Sequence, residues 1–167
     1  MDYNELISCF QDTIKMSEDE LQDATLEAID NTCVLKENIY EEVFENSNVK
    51  IKERPEDADV FVEVNTTFAT AKEYLQDGKV AVLNFANPIR PGGGVQNGAI
   101  AQEECLCRSS NLYCCLREEK VFEDYYLYHR KMDHYLSTDR LIYSKDITVF
   151  KNDNRIPALM SARNWFQ

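Results

Sequence analysis

The chain has 167 residues, 44% hydrophobic and 29% charged, the size and balance of one globular domain with a core of its own. No apolar run approaches the roughly 20 residues of a membrane span, and Met1-Asp2-Tyr3-Asn4-Glu5 lacks a leader's basic start and apolar stretch, so the cytoplasm is the expected address. Residues 1–63 hold 18 acidic against 5 basic side chains and residues 64–167 hold 12 against 13; this balance argues against non-specific binding to DNA or RNA, yet leaves a neutral half that can take a small anion.

Leu6, Ile7, Phe10 and Ile14 recur at helical spacing and predict a first helix ending at Met16. Ser17-Glu18-Asp19-Glu20 then reads as a capping box for a second helix with Leu21, Ala24, Thr25 and Ala28 on one face and solvated acids elsewhere. A less regular stretch from Cys33 to Phe44 leads to a turn at Asn46-Ser47-Asn48. No flexible linker or repeat follows, so residues 1–56 are expected to form a helical cap packed on residues 57–167.

Lys50-Ile51-Lys52-Glu53 predicts a short edge strand stopped by Pro55, and the alternation of Val60, Val62 and Val64 predicts the next strand. Thr66 or Thr67 caps a helix that carries Phe68, Ala71 and Leu75 inward and ends at Gly78. Val80 to Ala86 is an almost continuous apolar run, as in a strand buried on both faces of a parallel sheet. Strand, helix, strand, loop, helix is the order of a layered α/β sandwich, in which ligands sit beyond the carboxyl ends of the strands. Asn84 and Asn87 fall at that end. Each offers an amide to a sugar hydroxyl, or bonds its own turn, as suits Asn87 before Pro88.

Three of the five glycines stand together at Gly92, Gly93 and Gly94, and a fourth is Gly98. Their amides, with the N-terminus of a helix starting near Asn97 or Gly98, form a nest able to hold a diphosphate; without Gly-Lys-Ser or Gly-Lys-Thr, a P-loop nucleotidase is disfavoured. Gln102-Glu103-Glu104 follows in that helix. Adjacent helical carboxylates point about 100° apart, so one can engage a sugar while the other reaches a glycosidic oxygen. The structural alternative is an acidic first turn, with Glu104 and Arg108 as an i,i+4 pair.

Ala101, Cys105, Leu112 and Leu116 are expected to continue as the buried face of this helix. Val121 to Tyr135 predicts a further, aromatic-rich helix, residues 141–143 and 147–150 predict strands or extended segments, and Asn152-Asp153-Asn154 a turn. The six cysteines contain no Cys-x-x-Cys and four crowd one predicted helix, so they read as reduced thiols filling apolar space rather than metal ligands or disulfides.

The glycine triplet, its gap to Gln102-Glu103-Glu104, and the flanking Leu83-Asn84-Phe85-Ala86 and Arg108-Ser109-Ser110-Asn111-Leu112-Tyr113 resemble the microbial poly(ADP-ribose) glycohydrolases, densely from Asn65 to Tyr113 and more thinly to Asp153. The resemblance implies a macrodomain-like three-layer α/β/α fold and hydrolysis of ribose-ribose O-glycosidic bonds that releases ADP-ribose, with no metal or cofactor. It implies Glu104 as general acid and then base for water, Glu103 orienting a ribose hydroxyl, Gln102 in support, Asn87 as the preferred ribose contact beside Asn84, and Gly92, Gly93, Gly94 and Val95 as the ligand loop. It also implies ADP-ribose or poly(ADP-ribose) as partner, while the charge balance and the lack of a long apolar run leave no DNA, RNA or membrane among the expected partners.

The family continues with more strands and a second glycine-rich loop, whereas residues 155–167 contain no glycine. The expectation is therefore an incomplete sheet, in a fragment or truncated relative, or a last segment that closes the core another way. Two other readings keep the pocket: a non-catalytic ADP-ribose-binding module or inactive remnant, and a hydrolase of mono-ADP-ribosyl or acetylated ADP-ribose esters.

Overall fold

The computed structural model describes residues 3–37, 59–132 and 138–152. The expected turn at 46–48, the edge strand at 50–53, the far end of the Tyr-rich helix and the terminal segment lie outside the described residues.

Helix α1 spans Tyr3–Glu18 and buries Leu6, Phe10, Thr13 and Met16 on one stripe. It runs two residues past its predicted end. The expected capping box does not form: the Ser17 hydroxyl turns back to donate to the Thr13 carbonyl at 2.9 Å, inside the helix. Helix α2, Gln22–Asp30, follows after a tight turn. Strand β1, Thr32–Leu35, was not legible in the irregular stretch; it pairs antiparallel with β2, Leu141–Ser144, with Thr32 opposite Ser144 and Leu35 opposite Leu141.

Helix α3, Thr67–Tyr74, buries Phe68 and Ala71 as its spacing requires. The predicted strands on either side of it are a correction. Residues 60–64 and 80–86 belong to no strand among the described residues, and none of their apolar side chains is buried, with Val80 at 36% exposed, Phe85 at 74% and Val62 at 94%. A doubly buried parallel strand needs a neighbour on each edge and a layer on each face. Here the two-stranded β1-β2 pair is the sheet that the described residues form.

The long helix expected from residue 97 to 116 is split in three. A single 3-10 turn at Val95–Asn97 closes on Gly98; helix α4 spans Gln102–Ser109 and helix α5 Leu112–Leu116. The break at Ser110 is a bridge to Val149, reinforced by the Ser109 carbonyl, which accepts from the amides of Phe150 and Lys151. Of the two forms expected for residues 147–150, a strand or an extended segment, they form no named strand: they pack beside a helix junction with a single antiparallel bridge at Val149. Ala101 is exposed while Leu106, Cys107 and Leu112 are buried, so the inward face begins later than expected. Glu119–Arg130 is helical throughout, with a π turn at Phe122–Leu127 that turns Tyr125 and Tyr126 inward.

One cluster joins these pieces: Phe10, Phe68, Leu106, Cys107, Tyr113 and Val149 pack together with Val95. Because Phe10 of α1 meets Tyr113 edge-on at 4.9 Å, the N-terminal helices share the core of the rest. Cys107, Cys114 and Cys115 are buried without disulfides, and burial pushes the Cys115 thiol up to about 12. That suits thiols that fill space.

Candidate active site

The first turn of α4 presents Gln102, Glu103 and Glu104, and each side chain reaches back onto the loop before it. Gln102 Oε1 accepts from the Phe85 amide at 2.8 Å, while its Nε2 donates to the Leu83 carbonyl at 2.9 Å and to Thr67 Oγ1 at 3.2 Å. Glu103 accepts from the amides of Asn87 at 2.8 Å and Gly92 at 3.1 Å. Glu104 Oε1 accepts from the Gly94 amide at 2.8 Å. Three consecutive side chains therefore fix three successive pieces of the segment from 83 to 94.

This arrangement explains the glycines. Gly93 has φ +55°, and a Cβ there would lie 2.5 Å from Glu104 Oε1; Gly92 has φ +64°, and its Cβ would lie 2.7 Å from the ring of Tyr113. Tyr113 backs the loop, and its hydroxyl accepts from Gln96 Nε2.

The loop amides differ from the expected outward-facing nest. Gly92 and Gly94 donate to the two glutamates and Gly93 donates to the Arg90 carbonyl at 3.1 Å. The anions gripped by this loop are the protein's own carboxylates. Backbone amides aimed at a phosphate and at a carboxylate call for the same glycines, so sequence alone could not separate the two.

The two asparagines differ in what their side-chain oxygens do. Asn87 Oδ1 accepts from the amides of Ile89 at 3.0 Å and Arg90 at 2.9 Å, the turn geometry expected before Pro88. Asn84 Oδ1 is buried and lacks a partner among the described residues. Asn84 holds the unused acceptor. Val95 is wholly buried in the core, so its side chain contributes packing.

Glu103 and Glu104 are 3% and 7% exposed. Burial raises Glu103 to about 7 against the pull of the Asn87 amide; the Glu104 charge raises it further and the Gly92 amide lowers it. Glu104 Oε2 is buried without a partner among the described residues. The i,i+4 pair of Glu104 with Arg108, the alternative to a functional role, does not form. Arg108, fully buried, donates to the Ala99 carbonyl at 2.6 Å and to Cys105 Sγ at 3.4 Å instead. The site is thus two adjacent buried carboxyl groups, one near neutrality in its proton affinity and one with an uncommitted oxygen, an arrangement suited to proton transfer at a sugar linkage.

Sequence reasoning missed three neighbours. Thr67 orients Gln102, and Tyr125 and Tyr126 stand within the field of Glu103; burial, then the Glu103 charge, pushes both phenols up. A π turn has no simple sequence signature, and a threonine opening a helix reads as a cap. Among the described residues no three His, Cys, Asp or Glu side chains cluster as metal ligands.

The family model for the catalytic domain of microbial-type PARG, poly(ADP-ribose) glycohydrolase, matches residues 10–152. Among solved structures, the poly(ADP-ribose) glycohydrolase of Thermomonospora curvata is 27% identical with a TM-score of 0.76, covering 93% of this chain and 60% of its own. The same enzyme bound to the inhibitor ADP-HPD is 28% identical with a TM-score of 0.73, covering 90% and 56%. The Deinococcus radiodurans glycohydrolase in complex with ADP-ribose is 32% identical with a TM-score of 0.62, covering 81% and 54%. The fold is accordingly of the macrodomain-like α/β kind, and the chain spans 60% or less of the length of each of these structures. No curated protein sequence matches.

Proposed function

Because this chain belongs to the family of microbial-type poly(ADP-ribose) glycohydrolase catalytic domains, we propose that it binds ADP-ribose units and hydrolyses the ribose-ribose O-glycosidic bond of poly(ADP-ribose). The observation that carries the assignment of roles is the contrast between neighbours. Both oxygens of Glu103 accept backbone amides, whereas Glu104 uses one oxygen and keeps Oε2 uncommitted. Glu104 Oε2 protonates the leaving ribose oxygen as the anomeric carbon gains oxocarbenium character. The same carboxylate then takes a proton from the attacking water.

Glu103 holds Asn87 and Gly92 in place and meets a ribose hydroxyl. Burial raises its pKa to about 7, so Glu103 holds a proton more readily than an ordinary carboxyl group beside Glu104. Asn84 Oδ1 receives a second hydroxyl. The Gly92-Gly94 loop orients the carboxylates, and a ligand diphosphate would engage these amides only by displacing them.

The acidic balance of the chain disfavours nucleic acid as a partner. No helix among the described residues is long and apolar enough to cross a membrane, and none of the six cysteines is in a disulfide, which supports the cytoplasm as compartment.

The test is release of ADP-ribose from poly(ADP-ribose) by the wild-type chain and by Glu104→Gln, alongside calorimetric titration with ADP-ribose. Wild-type release that Glu104→Gln abolishes supports the reading. Binding without release identifies an ADP-ribose-binding module instead, and release that survives Glu104→Gln removes Glu104 from the chemistry.

A further inference from the structure

Gln102 bonds to the segment before it in a recognisable pattern. In a parallel ladder one residue donates its N–H to the carbonyl of residue i−1 on the next strand and accepts from the amide of residue i+1. The side-chain amide of Gln102 does this to Asn84: Nε2 donates to the Leu83 carbonyl at 2.9 Å and Oε1 accepts from the Phe85 amide at 2.8 Å. A glutamine side chain takes the place of a strand neighbour in a segment that has no ladder partner among the described residues.

A primary amide has two N–H donors, and the second must also be satisfied in a half-buried site. It goes to Thr67 Oγ1 at 3.2 Å. Thr67 opens α3, and the next residue, Phe68, is anchored in the core, so that hydroxyl is a fixed post. A connection therefore runs from core to Thr67, to Gln102, to the backbone on both sides of Asn84, whose Oδ1 is buried without a partner. The Asn84 carbonyl accepts from the Ala86 amide at 2.8 Å, but its Oδ1 has no partner among the described residues, so the backbone held through Leu83 and Phe85 sets that oxygen.

We propose that Thr67 is a positioning residue for ligand binding, acting through Gln102 to hold Asn84 where its side-chain oxygen accepts from a sugar hydroxyl. The proposal rests on the ADP-ribose reading above. Thr67 itself touches no ligand. The competing role is a threonine that merely begins a helix.

Thr67→Val keeps the shape and removes the acceptor; Thr67→Ser restores it. The readouts are hydrogen exchange at the Phe85 amide, calorimetric affinity for ADP-ribose, and melting temperature. Losing one hydrogen bond of ordinary strength predicts about five-fold weaker ADP-ribose binding in Thr67→Val, with faster Phe85 exchange. Thr67→Ser is expected to return both to within about two-fold of wild type, whatever the melting temperatures. Unchanged affinity in Thr67→Val, or a loss that follows the melting temperature and that serine does not restore, overturns the proposal while leaving the reading intact. A wild-type chain with no affinity for ADP-ribose overturns the reading, and the proposal with it.

Discussion

A Cβ on Gly93 would lie 2.5 Å from Glu104 Oε1, so the space where a side chain would begin at residue 93 is the space that the carboxylate occupies. Gly93→Ala also strains a backbone at φ +55°. The expected result is a loss of about 1 to 3 kcal/mol in stability with near-complete loss of ADP-ribose release. Urea unfolding and product assay on the same preparation check it; an alanine variant with wild-type turnover would show that Glu104 need not sit against this loop.

Glu104→Gln preserves the shape of the side chain and its contact with the Gly94 amide while removing the proton donor. Hydrolysis is expected to fall about 10² to 10⁴-fold, with ADP-ribose affinity within about two-fold of wild type because the bond is retained. Single-turnover assay and calorimetry separate the two quantities.

Glu103 has a folded-state pKa of about 7 against an ordinary 4.5, chiefly through burial. A raised folded pKa means that the native state binds the extra proton, so the stability this group contributes is fully present below pH 4.5 and is lost as pH rises to about 7. Glu103→Gln removes that dependence. Relative to wild type, the glutamine variant should gain stability between pH 4.5 and 7, on the order of 3 kcal/mol at most, and stay level above. Urea midpoints measured across that range test the sign: a wild type that gains on the variant as pH rises would contradict it.

Lys151 is buried at 3% exposure, and its ammonium donates to the Cys9 carbonyl at 3.0 Å, Asp12 at 2.7 Å and Thr13 at 2.8 Å. Lys151→Met leaves those acceptors under α1 without their donor and should cost about 2 to 4 kcal/mol. Asp12 is mostly exposed, so Asp12→Asn should cost under about 1 kcal/mol. Chemical denaturation of the two variants provides the comparison.

Local pattern was readable wherever the partners of a residue lie on its own turn. Phe10, Phe68 and Ala71 face inward as their spacing demands, and β2 begins at Leu141 as expected. Glu103 and Glu104 fall in the first turn of a helix as expected, but that helix starts at Gln102 and not near Asn97 or Gly98, because a separate turn closing on Gly98 precedes it. What depends on distant partners was not legible. Strand pairing cannot be judged from the alternation at 60–64, which names a face and not a neighbour, nor from the apolar run at 80–86, which names no partner at all. The break at Ser110 needs Val149, 39 residues away, and the inward Ser17 hydroxyl shows a short polar side chain choosing the turn behind it over the helix ahead. Asn84 and Asn87 are the same residue type three positions apart, and only coordinates reveal which one closes its own turn.

The bare valines and phenylalanines at 60–64 and 80–85 also govern how the protein behaves at concentration. Copies carrying a net charge of −12 repel one another in dilute buffer, and that repulsion keeps surfaces such as Phe61, Leu83 and Phe85 apart. Added electrolyte shortens the reach of the repulsion to about 10 Å at 0.1 M and leaves the greasy contacts untouched. Stocks should therefore scatter more light as sodium chloride rises, the reverse of a protein held in clumps by ion pairs.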